Sequence, residues 1–436
     1  MKGPKKPNAH RRVPFAESVR SRALANGARF YVLENHFNPT VALSGGFDAG
    51  ALFSPDRRFV ASLTAEELMK GTEKRTKLEI AEALESRGAS LSFSTDAADP
   101  VGVDIGGAAL SRDLDLLLET LVEVLRLPVF PQEELEKERK RVVGAIRQQH
   151  DQTGYRAYEA VSRTIYPPGH PFRQRSLEER VAEIESLTRD DLRSFYVDRY
   201  GAGTLRIVVV GDVLAEEVLD GLEDRFSEWA PGPRSAAPAV PVPAPAPGSQ
   251  TVVMPDKASA DVVLALPADL TRTASDFVAC TLANSALGQS SLTSRLGVRV
   301  RDVLGLTYGI HSSFAAGRVP GPFTVTLTVK PESRDAALNA TLDEIRRFLK
   351  QGLSPKELAH EKSSRTGKFQ VDLASNAGIA DALDACLYYG FGVEYLDEYP
   401  SRVAAVTREE ANAAFRKRVH PGSFTVVSAG TFAEDK

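Results

Sequence analysis

The side chains able to hold a metal or attack a bond are few and scattered. Seven histidines, His10, His36, His150, His170, His311, His360 and His420, stand along the chain, and no two lie within four residues of each other. A zinc pair on a helix needs ligands about one turn apart so that both rings face one ion. Neither H-E-x-x-H nor H-x-x-E-H occurs, and Cys280 and Cys386 are 106 positions apart, so there is no Cys-x-x-Cys knuckle. Nor is there a phosphate-binding G-x-x-x-x-G-K-[ST] loop, a G-x-G-x-x-G turn after a strand, or a G-x-S-x-G elbow. The sequence holds no self-contained metal, nucleotide or acyl-transfer site. Carboxylates are plentiful: Glu66, Glu67, Glu133, Glu134, Glu136 and Glu138 fall in predicted helices, where solvated faces are expected. His170, in YPPGHPF, is expected to be structural, because nothing near it in sequence pairs with it.

The elements that would position these residues come in two sets. From Ser235 to Gln250 an uncharged Pro/Ala/Val run resists helix and sheet-interior pairing and reads as a linker. On either side the same signals recur 219 positions apart. Thr188-x-x-Asp191 and Thr407-x-x-Glu410 each open a helix. Arg199 and Arg418 follow, then Gly203 and Gly422, then strands Leu205 to Val210 and Phe424 to Ala429, ended by Gly211 and Gly430. One coincidence is cheap, but a run in register implies a duplicated unit. Within the first unit ARFYVLEN and TVALSGGFDAG read as paired strands. KLEIAEALESRG is an amphipathic helix stopped by Gly88, and ASLSFSTD and VGVDIGG alternate as strands do. PQEELEKERKRVVGAIRQQH is a long helix with Pro131 expected at its first position. The expected fold is α+β: two homologous α/β domains, each a mostly antiparallel sheet packed with helices. The expected boundaries are a disordered basic tail over 1–13, an N-terminal domain over 14–232, the linker over 233–250 and a C-terminal domain over 251–436.

Composition narrows the function classes. The 436 residues are 42% hydrophobic and 26% charged, as in ordinary globular proteins. With 54 Lys+Arg against 58 Asp+Glu the net charge is −4, which gives no bulk attraction for nucleic acid. No apolar run approaches the 18 residues or so of a membrane span. The basic start MKGPKKPNAHRR is followed by VPFAESV rather than an apolar segment, so a cytoplasmic location is expected, or a periplasmic one if an export signal has been removed.

The segment FVASLTAEELMKGTEKRTKLEIAEALESRGASLSFSTD resembles the zinc-site region of the pitrilysin/insulinase metallopeptidases, an inverzincin family. There the helix reads H-x-x-E-H-x-x-x-K-G-T, two His binding zinc and the Glu polarising water. Here Ser62 stands at the first His, Ala65 at the general base and Glu66 at the second His, before Lys70-Gly-Thr72. The family's third ligand, a Glu on a later helix, falls on Ala145 within EKERKRVVGAIRQQ. SSLTSRLGVRVRDVLGLTYGIHSSF resembles the family's S-R-L…R-E-x-x-G-L-x-Y element, placing its arginine on Arg301 and its tyrosine on Tyr308, with Asp302 for the usual Glu.

The resemblance covers nearly the whole chain and implies half of a four-domain chamber, as in the processing peptidases. One subunit of such a dimer carries zinc and the other carries the Arg/Tyr pair. It implies no cofactor in this chain and zinc in an H-x-x-E-H partner, with unfolded peptides as substrate. Arg301 and Tyr308 would then bind substrate and offset charge on the carbonyl oxygen. The chain alone would be inactive. The alternative is an inert peptide-binding or structural subunit that pairs with itself. For Arg301 and Tyr308 the competing assignment is a helix-end charge and a half-buried core tyrosine.

Overall fold

The computed structural model describes residues 13–232, 237–290 and 292–432. The basic stretch 1–13 lies outside them apart from Val13. The strands are β1 (Arg20–Ala23), β2 (Arg29–Glu34), β3 (Thr40–Phe47), β4 (Ser90–Thr95), β5 (Val103–Leu110) and β6 (Arg206–Gly211), then β7 (Gly248–Val253), β8 (Ala260–Pro267), β9 (Gly309–Ala316), β10 (Pro320–Val329) and β11 (Thr425–Gly430). They form two sheets, ordered β1-β2-β6-β3-β5-β4 and β7-β11-β8-β10-β9. In each sheet one pair is parallel, β2 with β6 and β7 with β11, and the other pairs are antiparallel.

The duplication extends to register. Arg29 opposes Arg206 in the first sheet, and Gly248 opposes Thr425, both 219 positions on, in the second. Glu34 opposite Gly211 recurs as Val253 opposite Gly430. Gly211 and Gly430 end β6 and β11 at φ +157° and +159°. A Cβ at Gly211 would sit 2.2 Å from the Thr40 carbonyl oxygen, so only glycine fits that crossing. The capping boxes at Thr188/Asp191 and Thr407/Glu410 are both formed, as their spacing implies.

Two local expectations change. ARFYVLEN and TVALSGGFDAG form β2 and β3, but they do not pair, because β6 lies between them. All six residues of β6 are buried, so the centre is the place where its apolar groups on both faces are covered. Pro131 is the N-cap of the helix Gln132–His150 rather than its first residue.

Each sheet packs one face on helices of its own half, forming two large cores. The other face takes a helix from the opposite half. The helix Thr153–Ile165 lays Ala157, Val161 and Ile165 on Val263 and Ala265 of β8 and Val427 and Ala429 of β11. The helix Asn376–Tyr388 lays Ile379, Ala380 and Leu383 on Ala42 of β3 and Val208 and Val210 of β6. Each buried Leu or Ile in such a contact stabilises by about 1.5–3 kcal/mol. A buried ion pair, Arg206 Nε to Asp384 Oδ1 at 2.8 Å, fastens the second exchange, with Arg206 stacked 4.7 Å from the Tyr388 ring. Among the described residues no helix is long and apolar enough to cross a membrane.

Candidate functional site

The first group of predicted site residues sits on two neighbouring helices. Phe59–Glu67 carries Ser62, Ala65 and Glu66, and Gln132–His150 carries Ala145. The first helix has no side-chain N-cap of its own; instead the Phe59 amide donates to Glu183 Oε1 at 2.7 Å. Val60, Leu63, Thr64 and Glu67 recur at helical spacing and face the core.

These residues do not fit zinc. Ser62 Oγ donates to the Phe59 carbonyl at 3.2 Å, and Ala65 is fully buried with no group to offer. Glu66 is held by a cation: Arg141 Nη2 donates to Glu66 Oε2 at 2.7 Å, while Arg141 Nε donates to Glu138 Oε1 at 2.7 Å. Lys70 Nζ lies 3.9 Å from Glu138 Oε2. Among the described residues no group of three or more His, Cys, Asp or Glu could hold a metal ion.

The expectation of solvated carboxylates fails at Glu138, Glu67 and Glu66, and also at Glu134, whose side chain is 16% exposed beside Lys77 and Lys137. Glu138 is 5% exposed, Glu67 is fully buried, and Glu66 is partly buried. Neither carboxylate oxygen of Glu67 has a hydrogen-bond partner. Burial pushes its carboxyl up to about 8, so it stays protonated at neutral pH. Burial and the neighbouring Glu138 push Glu66 up to about 7. Burial is the largest single influence on Glu138 and would raise it, but the Arg141 guanidinium, the hydrogen bond with Glu66 and Lys70 together hold that carboxyl below its ordinary value. The signals were present in the sequence. Glu67 continues the stripe Val60, Leu63, Thr64, and Glu138 stands three before Arg141 on one helix face.

His170 is structural, as its sequence context suggests. It is 5% exposed and stacks on Tyr166 at 4.1 Å between ring centres. Its Nδ1 accepts from the Phe172 amide at 3.2 Å, which leaves Nε2–H to donate to the Pro241 carbonyl at 3.2 Å.

The second group lies in the other half of the chain. Arg301 sits in a widened helical turn, Gly297–Val303, with its side chain about one-third exposed and 3.8 Å from Asp302. Gly305 follows at φ +63°, the left-handed conformation that lets the chain reverse. Its amide donates to the Arg301 carbonyl at 3.0 Å, and the Leu306 amide to the Val300 carbonyl at 3.0 Å. Tyr308 immediately precedes β9, and its amide donates to Thr328 of β10 at 2.9 Å. Thr307 Oγ1 fixes the same carbonyl at 2.7 Å. The Tyr308 backbone is thus anchored while its side chain is 63% exposed. Arg301 and Tyr308 stand on the helical segment and at the strand start that one reversal at Gly305 connects; Ser62, Ala65, Glu66 and Ala145 belong to the helices of the first half.

Comparison with known proteins agrees with this architecture. Residues 30–170 match the family described as Insulinase (Peptidase family M16), and residues 186–365 match Peptidase M16 inactive domain. An uncharacterised zinc protease of Streptomyces coelicolor is 25% identical over 80% of this chain and 76% of its own length. A non-peptidase homologue from Helicobacter pylori is 21% identical over 92% of both chains. The crystal structure of a peptidase M16 inactive domain from Pseudomonas fluorescens superposes with a TM-score of 0.86 at 26% identity, covering 96% of this chain and 99% of that one. Two matched family regions, 30–170 and 186–365, and a shared two-sheet fold place this chain in the insulinase (peptidase M16) family.

Proposed function

We propose that the chain is the non-catalytic subunit of a heterodimeric zinc peptidase, lending Arg301 and Tyr308 to the H-x-x-E-H site of a homologous partner that hydrolyses unfolded peptides. The observation that carries this reading is the exposure of Tyr308. A core tyrosine would be covered; this one is 63% exposed on a turn whose backbone is fixed from both sides. Such a hydroxyl is preorganised to donate to something outside the chain. The replaced positions support the other half of the reading. Ala65 cannot act as a base, and Arg141 already occupies the carboxylate that stands at the second ligand position.

In the assembled site the partner's zinc would polarise the scissile carbonyl. Tyr308 O–H would donate to the same oxygen as negative charge builds there. The Arg301 guanidinium, permanently charged, would hold a neighbouring backbone carbonyl of the substrate. Neither residue moves a proton permanently; both offset charge and fix orientation.

The test is reconstitution. The purified chain should bind no stoichiometric zinc and cleave nothing. Mixed with an H-x-x-E-H homologue from the same genome, it should support cleavage. Tyr308→Phe should then lower kcat by about 10²–10³, the usual cost of one oxyanion donor. Unchanged turnover in that variant would remove Tyr308 from the mechanism.

A further inference from the structure

Beside Ser62 the molecule has a cavity of about 590 Å³, within the size range of small-ligand sites. Its apolar walls include Phe59, Ile146, Tyr155, Tyr158 and Phe172, and Arg180 also lines it. Arg180 comes from the helix Leu177–Ser186 and is only 6% exposed. Its Nε and Nη2 are buried without hydrogen-bond partners, and no carboxylate among the described residues pairs with it. Its guanidinium carbon lies 4.9 Å from the centre of the Tyr155 ring, whose buried hydroxyl stands beside it. A buried guanidinium in this state is costly unless an anion completes it.

The other charges around the cavity are already committed. Arg58 donates to the carbonyls of His170, Pro171 and Arg173 at 2.7–2.9 Å. Arg175 donates to Glu183 Oε2 and, at 2.6 Å, to the Pro55 carbonyl. The other oxygen of Glu183 accepts from the Phe59 amide, and Asp96 accepts from the Ala98 amide at 2.8 Å. One uncommitted guanidinium therefore faces an aromatic, largely apolar space. A planar fork of N–H donors matches one carboxylate, while a doubly charged phosphate would need more cations than remain.

We infer that this cavity binds a monocarboxylate carried on an aromatic or large aliphatic group, with Arg180 as the anchor and Tyr155 as a second donor. The chemistry is shared by a free aromatic acid and by the C-terminus of a peptide ending in a large apolar residue. The inference is independent of the reading given to Arg301 and Tyr308. It places a ligand beside the helix at which the family's catalytic residues are replaced.

Isothermal titration of the full chain with 3-phenylpropionate, with a hexapeptide ending in phenylalanine, and with the same hexapeptide amidated separates the cases. Binding of the free hexapeptide, weakened at least tenfold by amidation, identifies a peptide C-terminus. Binding of 3-phenylpropionate without the hexapeptide identifies a free acid. In either case Arg180→Met should abolish binding and Arg180→Lys should retain part of it. Arg180→Met should also unfold at higher urea than the unliganded wild type, since it removes an unpaired buried charge. Equal binding of acid and amide, no binding of any probe at millimolar concentration, or undiminished binding by Arg180→Met would each overturn the inference.

Discussion

Glu67→Gln isolates one buried proton. Glu67 is fully buried, neither oxygen has a partner, and burial raises its carboxyl to about 8 from an ordinary value near 4.5. A raised carboxyl favours the protonated folded state. Its contribution is therefore fully present below about pH 4.5 and is lost as pH rises through 8. Each unit of difference is worth about 1.4 kcal/mol. The cost of keeping Glu67 in the fold is then about 1 kcal/mol at pH 5, about 3 at pH 7 and nearly 5 at pH 9. Glutamine has the shape of the protonated acid and no proton to lose. Any fixed cost of an unsatisfied polar group is common to both and cancels in the pH difference. Urea unfolding followed by far-ultraviolet circular dichroism at pH 5, 7 and 9 reads the effect directly. The stability advantage of Glu67→Gln should grow by about 4 kcal/mol between pH 5 and pH 9. Parallel pH curves, with less than about 1 kcal/mol of divergence, would show that Glu67 has another partner or reaches water.

Other perturbations probe the remaining parts. Asp384→Asn leaves Arg206 buried beside Tyr388 without its counter-ion and should cost about 3–5 kcal/mol in urea unfolding. An Arg206→Met/Asp384→Leu double variant should recover most of that loss. Gly305→Val forces a β-branched residue into φ +63° and should lower kcat of the reconstituted complex by displacing Tyr308, with little change in secondary structure by circular dichroism. Replacing Ser62→His, Ala65→Glu, Glu66→His and Ala145→Glu together should restore zinc affinity only weakly. Adding Arg141→Leu should improve it at least tenfold in a zinc-chelator competition assay, because the permanent cation beside position 66 is removed.

The duplicated architecture was legible because capping boxes, arginines and terminal glycines keep their spacing when a unit is copied. Thr188/Asp191 and Thr407/Glu410 cap their helices, and the 219-residue offset carries through to the strand pairings. Strand order was not legible. The insertion of β6 between β2 and β3 is a long-range pairing, and the sequence between them, Asn35 to Pro39, looks like any hairpin loop. The exchange of helices between halves was equally hidden, since an apolar stripe does not say which sheet it will cover. At the replaced zinc helix, the absence of ligands could be read from residue types alone. The Arg141 bridge needed the register between two helices 65 residues apart, counted from the end of one to the start of the other. Arg180 gave no sequence signal, because an arginine on an exposed-looking helix reads as solvated until its neighbours are known.

The central claim is that this chain completes another chain's zinc site. Native mass spectrometry of the complex purified from its own host, with zinc counted per assembly, tests it most directly. The account predicts a one-to-one heterodimer holding a single zinc ion, with the metal retained by the partner after dissociation. A metal-free homodimer, or zinc leaving with this chain, would contradict it.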